Sequence, residues 1–180
     1  MNNINTRVLP MNISFVSIVS WIAALWAAKV FLSSLPYKFS GHPDTQHIFG
    51  TIGEWLKEFL GNAAGQSFTD YGAYVIGSAE LITSIILLAP AVFWLFGKMS
   101  LVKNRPYRPM LHCAGGLMAA AIMAGAVFFH LVSPLGIEVL HEGKSDNGSL
   151  FYAALSILIL GLILSITNFF VYRTEPDQSV

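Results

Sequence analysis

One cysteine, Cys113, stands in 180 residues. A lone thiol rules out a disulfide within the chain, a dithiol redox centre and a cysteine-rich structural metal site. Charge is equally scarce: 11% of residues carry it, against roughly 25% in soluble domains. Ten basic and ten acidic side chains balance, so nothing suggests nucleic acid, which is held by clustered Lys and Arg. No phosphate-cradling glycine loop, HExxH helix or serine elbow is present. No residue set spells out a reaction, and no electron carrier is evident in the chain.

What the sequence has is apolar length. Hydrophobic residues make up 54% of it, and four stretches approach the ~20 residues a membrane helix needs. They run roughly over 13–35, 72–96, 110–132 and 150–171. The first is interrupted by Lys29 and the second by Glu80. The first is too long for a secretory h-region of about 7–15 residues, and no clear small-x-small site follows it. It is read as a retained helix. Pro36 is expected to close the first span, Gly97 to cap the second and Pro109 to start the third. Pro134 should close the third, and Asn147-Gly148-Ser149 should open the fourth. Pro90 is expected to kink the second span, because the apolar run continues beyond it. The predicted fold class is all-α: a polytopic membrane protein with four antiparallel transmembrane helices in one domain, plus a short amphipathic surface helix.

That surface helix is expected over about 45–60. Ile48, Phe49, Ile52, Trp55, Leu56, Phe59 and Leu60 recur at helical spacing opposite a polar face. Asp44 or Thr45 should cap its start and Gly61 its end. Too short and polar to span, it is read as lying at the membrane interface, covering the outer end of the bundle or serving as a lid or docking surface. Orientation follows from the basic loop residues. Lys98, Lys103, Arg105 and Arg108 lie between spans two and three, and Arg7 and Arg173 lie in the tails. The other face carries Asp44, Glu54, Glu58, Asp70, Glu138, Glu142 and Asp146. Both termini are therefore expected in the cytoplasm, in a bacterial inner (plasma) membrane.

Lys29 and Glu80 are the intramembrane charges. By helix rise they lie about 7 Å and about 6 Å from the midpoints of adjacent antiparallel spans. A charge there costs at least about 2.5–3.5 kcal/mol, so such residues usually face inward and pair. An ion pair or shared polar cavity between them is one expectation. Snorkelling of Lys29 to the headgroups, or a purely structural pair, is the other. His130, near the outer end of span three, either lines the mouth of that cavity or satisfies a backbone carbonyl. His112 lies roughly 27 Å from it by helix rise, so the two cannot bridge a haem. His42, His47 and His141 show no ligand spacing, and no metal site is expected. In span three, Gly116, Ala120 and Ala124 repeat every four residues, as do Ala121 and Gly125. This small-xxx-small pattern fits close helix packing inside the bundle, or a face for a second copy.

Three segments resemble the DoxX-like family of small four-helix membrane proteins. They are Ala28-Lys29-Val30-Phe31 through Leu35-Pro36-Tyr37-Lys38-Phe39-Ser40-Gly41, then Gly77-Ser78-Ala79-Glu80-Leu81, then Gly125-Ala126 followed by His130. The chain differs in having Lys29 where many relatives carry Arg, and in its longer outer loop. The resemblance implies the four-helix fold and adds Lys38 to the candidate ligand or proton site of Lys29, Glu80 and His130. It implies a quinone- or redox-linked membrane subunit, with quinone as a non-covalent cofactor and a membrane or peripheral protein as partner. A non-enzymatic scaffold or chaperone is the alternative, and a small-molecule transporter a third reading. Whether the chain is itself part of an oxidoreductase is left open.

Overall fold

The computed structural model describes residues 13–102 and 107–174. Five α-helices dominate it: α1 (Ile13–Ser40), α2 (Pro43–Leu60), α3 (Asn62–Lys98), α4 (Arg108–Val132) and α5 (Ser149–Thr174). Four of them, all but α2, are long and apolar enough to cross a membrane. Lys103, Arg105 and Arg7, used above for orientation, lie outside the described residues. A two-residue hairpin, β1 (Leu140–His141) with β2 (Lys144–Ser145), folds the loop between α4 and α5.

The four long helices form an antiparallel ring in which α1 packs on α3 and α5, and α4 on α3 and α5. Its centre is small and apolar: Ala23, Ala24, Ala27, Phe31, Leu87, Ala119, Met123, Ala154, Ile157 and Leu164. Lipid offers apolar side chains no hydrophobic drive to associate, so close contact must hold the ring. The tightest seam joins α4 and α5. A Cβ on Gly116 would lie 2.8 Å from the Gly161 carbonyl oxygen, and one on Gly161 would lie 2.8 Å from the Gly116 carbonyl oxygen. Gly116 and Ala120 thus pack as the repeat predicted. Gly161, their partner, was not singled out. Ala121 and Ala124 are exposed instead, and Gly125 meets no atom within 4 Å of an added Cβ. A four-residue repeat drifts about 40° per step around an α-helix, so it leaves a straight contact face after two steps.

Three boundaries differ from expectation. Pro36 lies inside α1, which runs on to Ser40. An apolar stretch packed among neighbouring helices keeps its path through a single missing N–H. Gly97 lies inside α3, whose C-cap is Met99. At α2 the N-cap is His42, whose Nδ1 accepts from the Asp44 N–H, with Pro43 in the first turn. A ring nitrogen thus takes the role expected of Asp44 or Thr45. Pro90 sits within α3 and Pro109 in the first turn of α4, as the sequence implies.

The largest revision concerns where α3 starts, expected at about residue 72. α3 begins at Asn62, so its 37 residues extend about 55 Å, well past the ~30 Å hydrocarbon core. One residue, Gly61 at φ 85°, turns α2 directly into it. That left-handed conformation favours glycine. The two helices form a hairpin, with Gly53 against Gly65 and Phe49 stacked on Phe68. Ile52 packs with Leu135 and Val139 of the α4–α5 loop, backed by Ile48, Leu56 and Phe129. The apolar face of α2 therefore covers the end of the bundle, the first of the roles expected of it. Phe59 and Leu60, at its tip, are exposed.

Asp146 knits the loop to α5. Its carboxylate accepts from the backbone N–H of Val139, Gly148 and Leu150 and from the Ser149 hydroxyl. Burial alone would raise this carboxyl, but those hydrogen bonds override it and hold its pKa below the ordinary value of 3.8.

Candidate functional site

Beneath α2, at the end of the ring that carries the hairpin, lies a cavity of about 440 Å³. That volume falls within the range of small-molecule pockets, about 300–1,000 Å³. Its walls are mostly apolar: Val30, Ile76, Ile122, Met123, Ala126, Phe129 and Ala154 among others, with Ile48, Phe49 and Ile52 of α2 as the roof. Met123, Phe31 and Leu87 belong to the apolar centre below, which closes the floor.

A polar corner interrupts this lining. Glu80 of α3 is 2% exposed and meets Lys38 of α1, with Nζ 2.7 Å from Oε2. The Ser34 hydroxyl lies 2.7 Å from the same oxygen and shares its hydrogen between it and the Phe31 carbonyl. Lys38 Nζ also donates to Ser34 Oγ at 2.9 Å. Three side chains thus close a triangle around one carboxylate oxygen, as a buried charge requires. All three line the cavity.

The expected partner of Glu80, Lys29, is elsewhere. It is exposed, with its Nζ 5.4 Å from the Trp26 ring centroid. Ala27 and Ala28 are buried beside it, so the lysine side of this turn faces away from the ring centre. The snorkelling reading of Lys29 is the one this geometry favours. Lys38 meets Glu80 because α1 continues through Pro36. Residues 27, 31, 34 and 38 form one stripe at i, i+4, i+7 and i+11, which places Ser34 and Lys38 in line with buried Ala27 and Phe31. Ser34 was not singled out in the sequence. This stripe is the signal that would have found it.

His130 stands on the α4 wall, 7% exposed. Its Nδ1 lies 2.7 Å from the Gly136 carbonyl oxygen, and its ring packs edge-on to Phe151. Because a carbonyl only accepts, Nδ1 carries the hydrogen and Nε2 is the bare nitrogen of the neutral ring. Both readings of His130 hold together: it satisfies a carbonyl and lines the cavity.

The exposed lining residues are Ser33 and Tyr37 of α1, Asp44 of α2 and Leu150 of α5. They place the mouth between α1 and α5. Away from this end the two helices are pinned by Trp26 Nε1 donating to Ser156 Oγ and by Asn168 Nδ2 donating to Ser20 Oγ. At the rim, His141 Nδ1 lies 2.6 Å from Asp44 Oδ1 and stacks on His47, while His42 Nδ1 is 3.5 Å from Asp44 Oδ2. Histidines scattered in sequence therefore meet around one aspartate. Among the described residues, no three His, Cys, Asp or Glu side chains gather as a metal ion would need.

His112 lies at the opposite end of α4, wholly buried against the edge of Trp21. Neither ring nitrogen has a hydrogen-bond partner. It does not join the cavity.

No protein-family model, no curated protein and no solved structure matches this chain.

Proposed function

We propose that this chain is a DoxX-like, quinone- or redox-linked membrane subunit whose cavity holds the head group of a membrane-borne quinone. The observation that carries the reading is the cavity itself. It is apolar along most of its wall, polar at one corner through Lys38, Glu80 and Ser34, and open between α1 and α5 beside Asp44. A small polar head with an apolar tail matches that division, and a lateral mouth suits a ligand that travels in the bilayer. The redox chemistry belongs to the quinone and to a protein partner. The chain's own residues bind and orient the head group.

The orientation follows from charge. Lys98, Arg108 and Arg173 lie at the helix ends remote from the cavity. Asp44, Glu54, Glu58, Glu138, Glu142 and Asp146 lie at or beyond the cavity end. The positive end belongs on the cytoplasmic side, which puts both termini there and the cavity toward the outer side of a bacterial plasma membrane.

A scaffold or chaperone role is the second reading. Phe59 and Leu60, exposed at the tip of the α2–α3 hairpin, favour it, since apolar side chains there would suit a docking protein. Mass spectrometry of protein extracted gently from its own membrane separates the two. The proposal expects a bound quinone, lost from Gly125→Leu, which fills the cavity without touching the ion pair. A stoichiometric protein partner with no quinone would favour the scaffold.

A further inference from the structure

The unpaired hydrogen-bonding atoms of the cavity specify more than its shape. At Glu80, Oε2 takes both contacts, from Lys38 and Ser34, and Oε1 has no protein partner. At His130, Nδ1 is spent on Gly136, and Nε2 has no protein partner. Both residues line the cavity, and neither free atom is sealed inside the protein. Lys38 has three N–H donors, two of them engaged with Ser34 and Glu80. The polar fittings open to a ligand on these residues are thus two acceptors and one donor.

From this the geometry points to a ligand whose head group carries O–H donors, the hydroquinone rather than the quinone, with His130 Nε2 as the specificity-determining acceptor. This rests on the proposed function and narrows it to one redox form. A quinone has only carbonyl acceptors. It can take the spare Lys38 hydrogen, but it leaves Glu80 Oε1 and His130 Nε2 desolvated and unpaired, which is the costly case. A hydroquinone hydroxyl both donates and accepts. One hydroxyl can take the Lys38 hydrogen while donating to Glu80 Oε1, and the ring's second hydroxyl is the donor that His130 Nε2 lacks. A site built to hydrogen-bond a hydroxyl rejects the analogue without it far more strongly than an apolar pocket rejects a missing methylene.

The test is equilibrium binding to the full chain in lipid nanodiscs, corrected against empty nanodiscs. The probes are a decyl-substituted benzoquinone and its hydroquinone, used anaerobically at about pH 8, where an ordinary imidazole is neutral. The hydroquinone is expected to bind about tenfold or more tighter than the quinone. His130→Asn keeps an amide N–H to replace Nδ1 at the Gly136 carbonyl and removes the acceptor at Nε2. It is expected to cut the preference several-fold, mainly by weakening the hydroquinone, with the remainder resting on Glu80 Oε1, while its thermal melting stays close to the parent's. Equal binding of both forms by the parent, or a preference undiminished in His130→Asn, overturns the inference and leaves the quinone site standing. If the parent binds neither form, the proposed function falls with it.

Discussion

Lys29 and Lys38 sit on one helix and face opposite ways: Lys38 closes on Glu80 at 2.7 Å, while Lys29 lies over Trp26 at the exposed surface. Nine residues separate them, about two and a half turns of α-helix, so half a turn of rotation assigns them opposite environments.

Their substitutions should therefore part company. Lys38→Met strands the Glu80 carboxylate and is expected to destabilise the fold by about 3–5 kcal/mol. Lys29→Met is expected to stay within about 0.5 kcal/mol of the parent. Unfolding titrations in mixed micelles read both. Comparable losses would contradict the assignment of Lys38 as the partner.

The ion pair can be dissected further. Glu80→Gln alone leaves Lys38 charged beside a neutral amide. The double variant Lys38→Met with Glu80→Gln removes both charges, and should recover most of the stability lost by Lys38→Met alone. A double variant as unstable as the sum of the singles would mean that the two residues act independently.

Gly161 of α5, in the tight seam with α4, and Gly125 of α4, at the cavity, should respond differently. Gly161→Val drives a side chain into the Gly116 carbonyl and the Ala120 backbone, with an expected cost of about 1–3 kcal/mol from overpacking. Gly125→Leu enters open space and should leave the melting temperature nearly unchanged while reducing the cavity. A folded Gly125→Leu protein that still retains its ligand would disprove the cavity as the binding site.

Acid should loosen the loop before α5. The pKa of Asp146 is lower in the folded chain than its ordinary 3.8, so its contribution is complete above that value. It is lost as pH falls below 3.8 toward the folded pKa. Asp146→Ala is expected to cost about 0.5–2 kcal/mol, as removal of a helix-capping carboxylate does, and to flatten the stability profile in that acid range. Parallel acid profiles for parent and variant would rule this out.

Spans, the end of α2 and the helix-packing glycine are legible because each depends on local sequence: apolar length for the four helices, Gly61 for the helix end, small residues four apart for Gly116 and Ala120. The partner of Glu80 was misread for an equally local reason. A proline such as Pro36 ordinarily signals a helix end, which puts Lys38 outside the helix and leaves Lys29 as the nearest cation. The stripe through Ala27, Phe31, Ser34 and Lys38 was present in the sequence, but it emerges only when the helix is continued past the proline. Which residues α2 packs against is hidden for another reason. An amphipathic pattern records that one face is covered, and the covering surface here comes from α3 and from Leu135 and Val139, distant in sequence. The meeting of His42 and His141 at Asp44, with His47 stacked on His141, depends on the same long-range fold.

The opening between α1 and α5 sets where exchange takes place. With α2 as roof and the alanine-rich centre as floor, the proposed quinone would enter and leave between α1 and α5, from the surrounding lipid. Occupancy would then answer to the mole fraction of that quinone among the surrounding lipids, and its concentration in the water on either side would matter little. Detergent dilutes that pool many-fold, so a preparation stripped of lipid would lose its occupant without any change in the affinity of the protein.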